Sequence, residues 1–190
     1  MMRAEIALPL GIALVHHPVR NKRGETIGSA VTNLDLHDIA RAARTYGVDR
    51  YFVTTPYADQ QALVAEIVGH WRDGYGATYN PARKEALEII RVVASLEEAI
   101  EAMQTRHGQR PLVVATSAQE QGRSIAFDDL QQMVAAGKPV LLVFGTAHGL
   151  APEVIDTVDA VLPPLKGRTA YNHLSVRSAV AIILDRLLGL

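Results

Sequence analysis

The chain has 190 residues, of which 48% are hydrophobic and 21% are charged, and its formal net charge is −1. This balance fits one globular domain and excludes a disordered chain, and it leaves any nucleic-acid contact to a local basic patch. The absence of cysteine excludes a disulfide framework, thiolate catalysis and a zinc–cysteine site.

The distribution of apolar residues gives no sign of a membrane segment. No apolar run approaches the roughly 20 residues that span a bilayer. The start of the chain combines Arg3 and Glu5 with an apolar stretch that Pro9 and Gly11 interrupt, and no small-residue cleavage site follows. We therefore expect neither a signal peptide nor a membrane partner, and we expect a cytoplasmic protein.

Strand and helix patterns alternate along the chain. Short apolar or β-branched runs bounded by turn residues predict strands at 12–15, 51–55, 89–93, 112–116, 140–144 and 158–162. Apolar residues at helical spacing predict helices near 36–46, 58–71, 82–88, 96–106, 127–136 and from 171 to the end. This alternation predicts an α/β fold, with a mostly parallel sheet and helices on both faces, in a single domain over residues 1–190.

Three polar loops follow the predicted strands of the second half of the chain. Thr116-Ser117 ends one strand, Gly145 and Gly149 follow the next, and the run 172–178 lies where the chain enters the last helix. Because parallel strands end at one edge of a sheet, these loops predict a small-molecule site there. The Gly-x-x-x-Gly spacing is neither a dinucleotide fingerprint nor a Walker loop, so by itself it leaves a ligand-free turn open.

Three sequence motifs carry a resemblance to a known family. They are Phe144-Gly-Thr-Ala-His-Gly-Leu150, Leu162-Pro-Pro-Leu-Lys-Gly167 and Tyr171-Asn-His-Leu-Ser-Val-Arg-Ser-Ala179. Together they resemble the SPOUT superfamily of RNA methyltransferases, in its stand-alone bacterial form, and the run 33–48 is similar to the first motif of that family. The resemblance implies a deep trefoil knot at about 112–190 that binds S-adenosylmethionine in a bent conformation.

The resemblance also implies the site residues. Those implied to bind S-adenosylmethionine are Thr116, Ser117, Gly145, Thr146, Ala147, His148, Gly149, Leu162, Pro164, Leu165, Gly167, Asn172, Leu174 and Ser175. The implied catalytic residues are Arg41, which matches an arginine near the methyl acceptor, with Asn33 and Asp35. Asp35, His37 and His17 are candidate proton acceptors. No paired histidine spacing predicts a metal site.

The implied substrate is RNA, with tRNA favoured over rRNA, and the acceptor is a base nitrogen or a ribose 2′-hydroxyl. The basic residues expected to converge near the cofactor are Arg20, Lys22, Arg23, Arg41, Arg44, Arg50, Lys166 and Arg168. The last helix has a wide apolar stripe, and in the family this helix also packs between subunits, so a homodimer is expected. Two alternatives are a non-catalytic RNA-binding protein with this fold and a doubly wound nucleotide-binding enzyme.

Overall fold

The computed structural model describes residues 8–190. Arg3 and Glu5, on which the expected absence of a signal peptide partly depends, lie outside the described residues. Its strands are β1 (Leu8–Val15), β2 (Val19–Arg20), β3 (Thr26–Ile27), β4 (Val48–Thr54), β5 (Ile90–Val93), β6 (Leu112–Ala115), β7 (Val140–Gly145) and β8 (Ala160–Val161). Its helices are α1 (Asn33–Thr45), α2 (Ala58–Arg72), α3 (Tyr75–Tyr79), α4 (Pro81–Leu87), α5 (Leu96–His107), α6 (Phe127–Ala135), α7 (Pro152–Thr157) and α8 (Val176–Leu188).

Six strands form one parallel sheet in the order β5-β4-β1-β7-β6-β8. The central strand β1 is in register with both of its neighbours: Val15 pairs with Thr54 of β4 and with Gly145 of β7. The strands therefore end together, and the loops that follow them meet at one edge of the sheet.

Helices cover both faces of the sheet, as the alternating pattern predicted. Alternate residues of β1 point to opposite faces. Leu10, Ile12 and Leu14 join an apolar cluster with α1, α2, α6 and α8, whereas Ala13 and Val15 join a second cluster with α5 and α7. The predicted α/β fold with a mostly parallel sheet is confirmed.

The short elements depart from the sequence predictions. The expected basic loop at 20–25 is the turn of the antiparallel hairpin β2–β3, and the expected loop at 73–81 contains α3. Helix α8 begins at Val176 rather than at 171, because the Ser175 hydroxyl accepts a hydrogen bond from the Ser178 N–H at 3.3 Å and caps the helix. The strands β2 and β3 and the helix α3 are too short, and too poor in apolar residues, to show a pattern in the sequence.

At the amino edge of the sheet, a buried carboxylate ties α5 to β4. Asp49 is 4% exposed and accepts hydrogen bonds from Arg106, one of them at 2.8 Å. His107 Nε2 lies 3.3 Å from the same carboxylate and Arg50 Nη1 lies 3.5 Å from it. Arg50 thus belongs to this structural cluster, so its predicted convergence with the other cations near the cofactor is wrong.

Candidate active site

A cavity of about 720 Å³ lies at the carboxyl edge of β1, β6 and β7. Eleven of the fourteen residues implied to bind the cofactor line it: Thr116, Ser117, Gly145, Thr146, Ala147, His148, Gly149, Leu165, Asn172, Leu174 and Ser175. Leu162 is instead buried in the core, and Pro164 and Gly167 are absent from the lining that the described residues form, where Pro163 takes part. The fold therefore brings the three polar loops together.

The loop after β7 gives the cavity a wall made largely of backbone. Gly149 has φ +102°, a conformation that favours glycine, and Ala147 has φ +52°. A Cβ at Gly145 would lie 2.5 Å from the Leu150 nitrogen, so only glycine fits there without a shift of the backbone. Thr146 donates a hydrogen bond to the Val15 carbonyl at 3.0 Å, which fixes this loop to the end of β1.

The hairpin β2–β3 holds the same loop from the other side. The Arg20 N–H donates to the Gly149 carbonyl at 2.9 Å, and the His148 N–H donates to the Arg20 carbonyl at 3.0 Å. Arg20 is itself part of the cavity lining. It was expected near the cofactor as one of several basic residues, and the cavity lining includes it. Its bonds to residues about 130 positions away could not be derived from local spacing.

The other two walls come from the segments after β6 and before α8. The Asn172 side-chain amide donates to the Ala118 carbonyl at 2.9 Å, and Lys166 pairs with Glu120 at 2.5 Å. These contacts join the two segments to one another. Leu165, Leu174 and Ile183 add apolar surface to the cavity.

Beside the cavity, an ion pair between a buried aspartate and an arginine connects α1 with α8. Asp35 is 6% exposed; its carboxylate accepts from the Thr32 hydroxyl at 2.7 Å and from Arg177 Nη1 at 2.9 Å. Arg177 also pairs with Asp38 at 3.4 Å. Arg177 lies within the last motif, but sequence reasoning gave it no role, since its partner is 142 residues away.

The remaining catalytic candidates lie elsewhere. Asn33 and Arg41 are exposed on α1, and neither is part of the cavity lining formed by the described residues. His37 packs edge-on against Trp71, and burial, with Arg83 and Arg41, lowers its pKa against the opposing effect of Asp38. His17 packs edge-on against Tyr57.

His16, at the end of β1, is a buried histidine that sequence reasoning did not single out. It is fully buried, and among residues 8–190 neither ring nitrogen has a hydrogen-bond partner. Burial lowers its pKa, and the charge of Asp35 and the carbonyls of Leu14 and Thr54 only partly offset this effect. The imidazole is therefore neutral at neutral pH.

A sequence profile of a family described as SAM-dependent RNA methyltransferase matches residues 9–189. The chain belongs to this family. Over 93% of its length it is 49% identical to a tRNA (guanine-N(1)-)-methyltransferase of Oleidesulfovibrio alaskensis, and the match covers 41% of that protein. It is 39% identical to an uncharacterized protein of Aquifex aeolicus, of which the match covers 86%. The chain thus spans less than half the length of the curated methyltransferase.

Solved structures show the same fold. A probable methylase family protein from Haemophilus influenzae superposes with a TM-score of 0.62 at 20% identity, over 96% of this chain and 66% of the other. A TrmH/SpoU tRNA modifying enzyme of Aquifex aeolicus gives 0.57 at 18% identity, over 95% and 74%. The SpoU methyltransferase AviRb of Streptomyces viridochromogenes, solved with AdoMet, gives 0.56 at 19% identity, over 96% and 61%. The predicted membership of an RNA methyltransferase family is thus confirmed by the sequence profile, and these structures share the predicted fold.

The family uses S-adenosylmethionine, and the cavity fits this cofactor. Its volume is in the range of small-molecule sites. Leu165, Leu174 and Ile183 offer an apolar surface for the adenine ring, and the Gly145–Gly149 loop offers backbone groups for the polar parts. The cavity thus has both an apolar and a polar wall.

Within residues 8–190 no group of three or more His, Asp or Glu residues could hold a metal ion. No helix of that part is long and apolar enough to cross a membrane.

Proposed function

We propose that this chain transfers a methyl group from S-adenosylmethionine to tRNA. The observation that carries the proposal is the cavity at the carboxyl edge, where eleven of the fourteen residues implied by the motifs meet. Bound S-adenosylmethionine supplies a methyl group on a sulfonium leaving group, so the protein has to align the acceptor and receive its proton.

The residues around the cavity divide these tasks. Backbone groups of the loop after β7 and the segments at 116–117 and 172–175 hold the cofactor. Pro164 and Gly167 would help to shape the turn before Asn172, and Leu162 would support it from the core. Asp35 is the carboxylate of the lining; Thr32 and Arg177 fix its orientation, so it is placed to accept a hydrogen bond from the N–H or O–H of the acceptor.

We further propose a homodimer through α8, in which Arg41 and Asn33 of one copy reach the cavity of the other. Both residues are exposed and stand outside the lining of their own copy. Exposed apolar side chains flank this region: Leu34 is 60% exposed, Leu174 48% and Tyr171 75%. A second copy that covers them would remove apolar surface from water and complete the site.

The choice of tRNA rests on the names of the curated relatives. The chain corresponds to only 41% of those proteins, so the position that it methylates does not follow from their names. Two acceptors have to be tested, the N1 atom of guanine and a ribose 2′-hydroxyl. A tRNA substrate also favours the cytoplasm as the location.

We also propose that residues 112–190 form the trefoil knot within a single domain. In support, β6 lies between β7 and β8 in the sheet, and the segment after β6 contacts the segment before α8 through Asn172 and Lys166. Pulling the chain from residues 112 and 190 should release a shorter length than an unknotted segment would give. The full extended length would disprove the knot.

Two measurements test the proposed reaction. Calorimetric titration with S-adenosylmethionine should show binding, and labelled methyl groups should enter tRNA from cells that lack the protein. No heat would overturn the cofactor assignment, and binding without methyl transfer to any tRNA would overturn the substrate assignment. Mapping the labelled nucleotide then distinguishes a base nitrogen from a ribose hydroxyl.

The Arg41→Ala variant tests the shared site. We expect turnover to fall by roughly 100-fold, because a cation near the acceptor is lost, while the affinity for S-adenosylmethionine stays within about twofold of the original. Equal loss of cofactor affinity would place Arg41 in the cofactor site instead. Mixing Arg41→Ala with an inactive Gly145→Ala variant should restore activity only if the two copies share their sites.

A further inference from the structure

The hairpin β2–β3 presents a cation to the cavity without a counter-charge. Arg20 is part of the cavity lining, and the Nε atom of its side chain is buried and has no hydrogen-bond partner among the described residues. Within the same part of the chain no carboxylate forms an ion pair with Arg20. Arg20 as a whole is only half-buried, but a buried guanidinium N–H without an acceptor is unfavourable, so this position favours an anionic ligand.

The other arginine of the cavity lining, Arg177, is already neutralised. Arg177 pairs with Asp35 and Asp38, and Lys166, which follows the lining residue Leu165, pairs with Glu120. Arg20 therefore differs from them in having both the charge and the hydrogen-bonding capacity left for a ligand.

Backbone contacts fix Arg20 in place. Its N–H and its carbonyl bond to Gly149 and His148, and its strand partner Thr26 donates to Glu153 at 3.4 Å. The Cα of Arg20 is thus tied to the loop that forms the cofactor wall. An anion held by Arg20 has a defined position relative to that wall.

The turn of the hairpin adds two further positive charges, which are exposed to solvent. Lys22 and Arg23 are exposed at its tip, and Asn21 shapes the turn by accepting hydrogen bonds from the Arg23 and Glu25 N–H groups at 2.8 and 3.0 Å. The one acidic residue of the turn, Glu25, accepts from the Asn21 amide at 2.5 Å. A row of three cations therefore runs from the cavity to the solvent.

The geometry points to a phosphodiester-binding site at Arg20, Lys22 and Arg23, which holds the RNA backbone next to the nucleotide that enters the cavity. Arg20 takes the phosphate closest to the cofactor, since a guanidinium matches phosphate oxygens, and the two tip residues take the neighbouring phosphates. This inference rests on the proposed function. The carboxylate of the cofactor is the other anion that Arg20 is able to meet.

An Arg20→Gln variant separates these two anions. Fluorescence anisotropy measures the affinity for bulk bacterial tRNA between about 50 and 200 mM salt. Calorimetry measures the affinities for S-adenosylhomocysteine, which has the carboxylate, and for 5′-methylthioadenosine, which lacks it. Lys138→Gln removes one exposed positive charge just before β7, at the opposite edge of the sheet, and serves as the matched control. Arg20→Lys tests charge without the planar guanidinium, and thermal melting verifies the fold of each variant.

We expect Arg20→Gln to bind tRNA roughly tenfold more weakly at low salt, with a salt slope reduced by about one, and with unchanged affinity for both nucleosides. Arg20→Lys should keep the salt slope, and Lys22→Gln/Arg23→Gln should lower it further. Loss of affinity for S-adenosylhomocysteine alone would assign Arg20 to the cofactor carboxylate and overturn the inference. A tRNA affinity of Arg20→Gln equal to that of Lys138→Gln would also overturn the inference. If the unmodified protein binds neither nucleoside, the proposed function itself fails.

Discussion

Two buried carboxylates stand at opposite edges of the same sheet, and their partners differ. Asp49, at the amino edge, is surrounded by Arg106, His107 and Arg50. Asp35, at the carboxyl edge, is held by Thr32 and Arg177, yet Arg20 nearby on the cavity wall has no carboxylate partner within the described residues. The charges around Asp49 serve the fold, whereas beside the cavity one cation, Arg20, remains available for a ligand.

Backbone strain also differs between the edges: the positive-φ residues that follow α1, α5 and α6 at the amino edge are all glycines. At the carboxyl edge, Ala147 has a positive φ and Gly145 lies against the backbone of Leu150. A residue other than glycine with positive φ costs roughly 1 kcal/mol or more, so such positions persist where the surrounding contacts fix them. Strain at the loop after β7 is consistent with a site that binds a ligand by its backbone.

Among the variants that test the difference between the two edges, Gly145→Ala should have the largest effect, on cofactor affinity. Its Cβ would lie 2.5 Å from the Leu150 nitrogen, so the loop has to shift and the affinity for S-adenosylmethionine should fall by roughly 100-fold, or about 2.7 kcal/mol. Calorimetric titration measures this loss. Gly69→Ala is the control, because a Cβ there meets no atom within 4 Å, and it should bind normally. Normal binding by Gly145→Ala would show that the loop does not form the cofactor wall.

Asp49→Ala should affect only the fold. It removes a buried partner of Arg106 and His107, and we expect the free energy of unfolding in urea to fall by about 2 to 3 kcal/mol, with unchanged cofactor affinity. Asp73→Ala removes an exposed ion pair with Arg72 and should cost at most about 0.5 kcal/mol. A loss of cofactor affinity in Asp49→Ala would contradict the division between the edges.

The Asp35–Arg177 pair should show a smaller, mutual dependence. Arg177→Met leaves the Asp35 carboxylate with only Thr32 beside it, and we expect about 1 to 2 kcal/mol of destabilisation. The double variant with Asp35→Asn should lose less than the sum of the two single variants, because the buried charge is then absent. Urea denaturation of all four proteins gives the coupling energy, and additive losses would mean that the pair does not act as a unit.

The pH dependence through His16 should be the smallest effect. The folded pKa is lowered below its ordinary value of 6.5, so above pH 6.5 the histidine is neutral in both states and stability is unaffected. As the pH falls from 6.5 toward the lowered folded pKa, the unfolded state binds the proton first, and stability drops by at most about 1.4 kcal/mol per pH unit.

His16→Leu should reduce this acid-side slope in denaturation curves at several pH values. His37, whose pKa is also lowered, would keep part of the slope. An unchanged slope in His16→Leu would show that the pKa of His16 is not lowered in the folded protein.

The sequence by itself determined the elements and the position of the site along the chain. Burial requires a regular apolar pattern, so runs such as Val140–Phe144 and the helical stripe of α8 could be read from residue spacing alone. The motifs after β6, after β7 and before α8 likewise located most of the cavity lining, because each lies within a few residues of a strand or helix end.

Only the tertiary structure decided which polar residues meet. Leu162 lies within a motif but faces the core, and Arg50 looks like its basic neighbours but pairs with Asp49. Arg20 reaches the cavity because a two-residue strand bonds to Gly149, and Arg177 meets Asp35 across 142 positions. Such contacts depend on how the loops fold against each other, and local residue spacing contains no record of that packing.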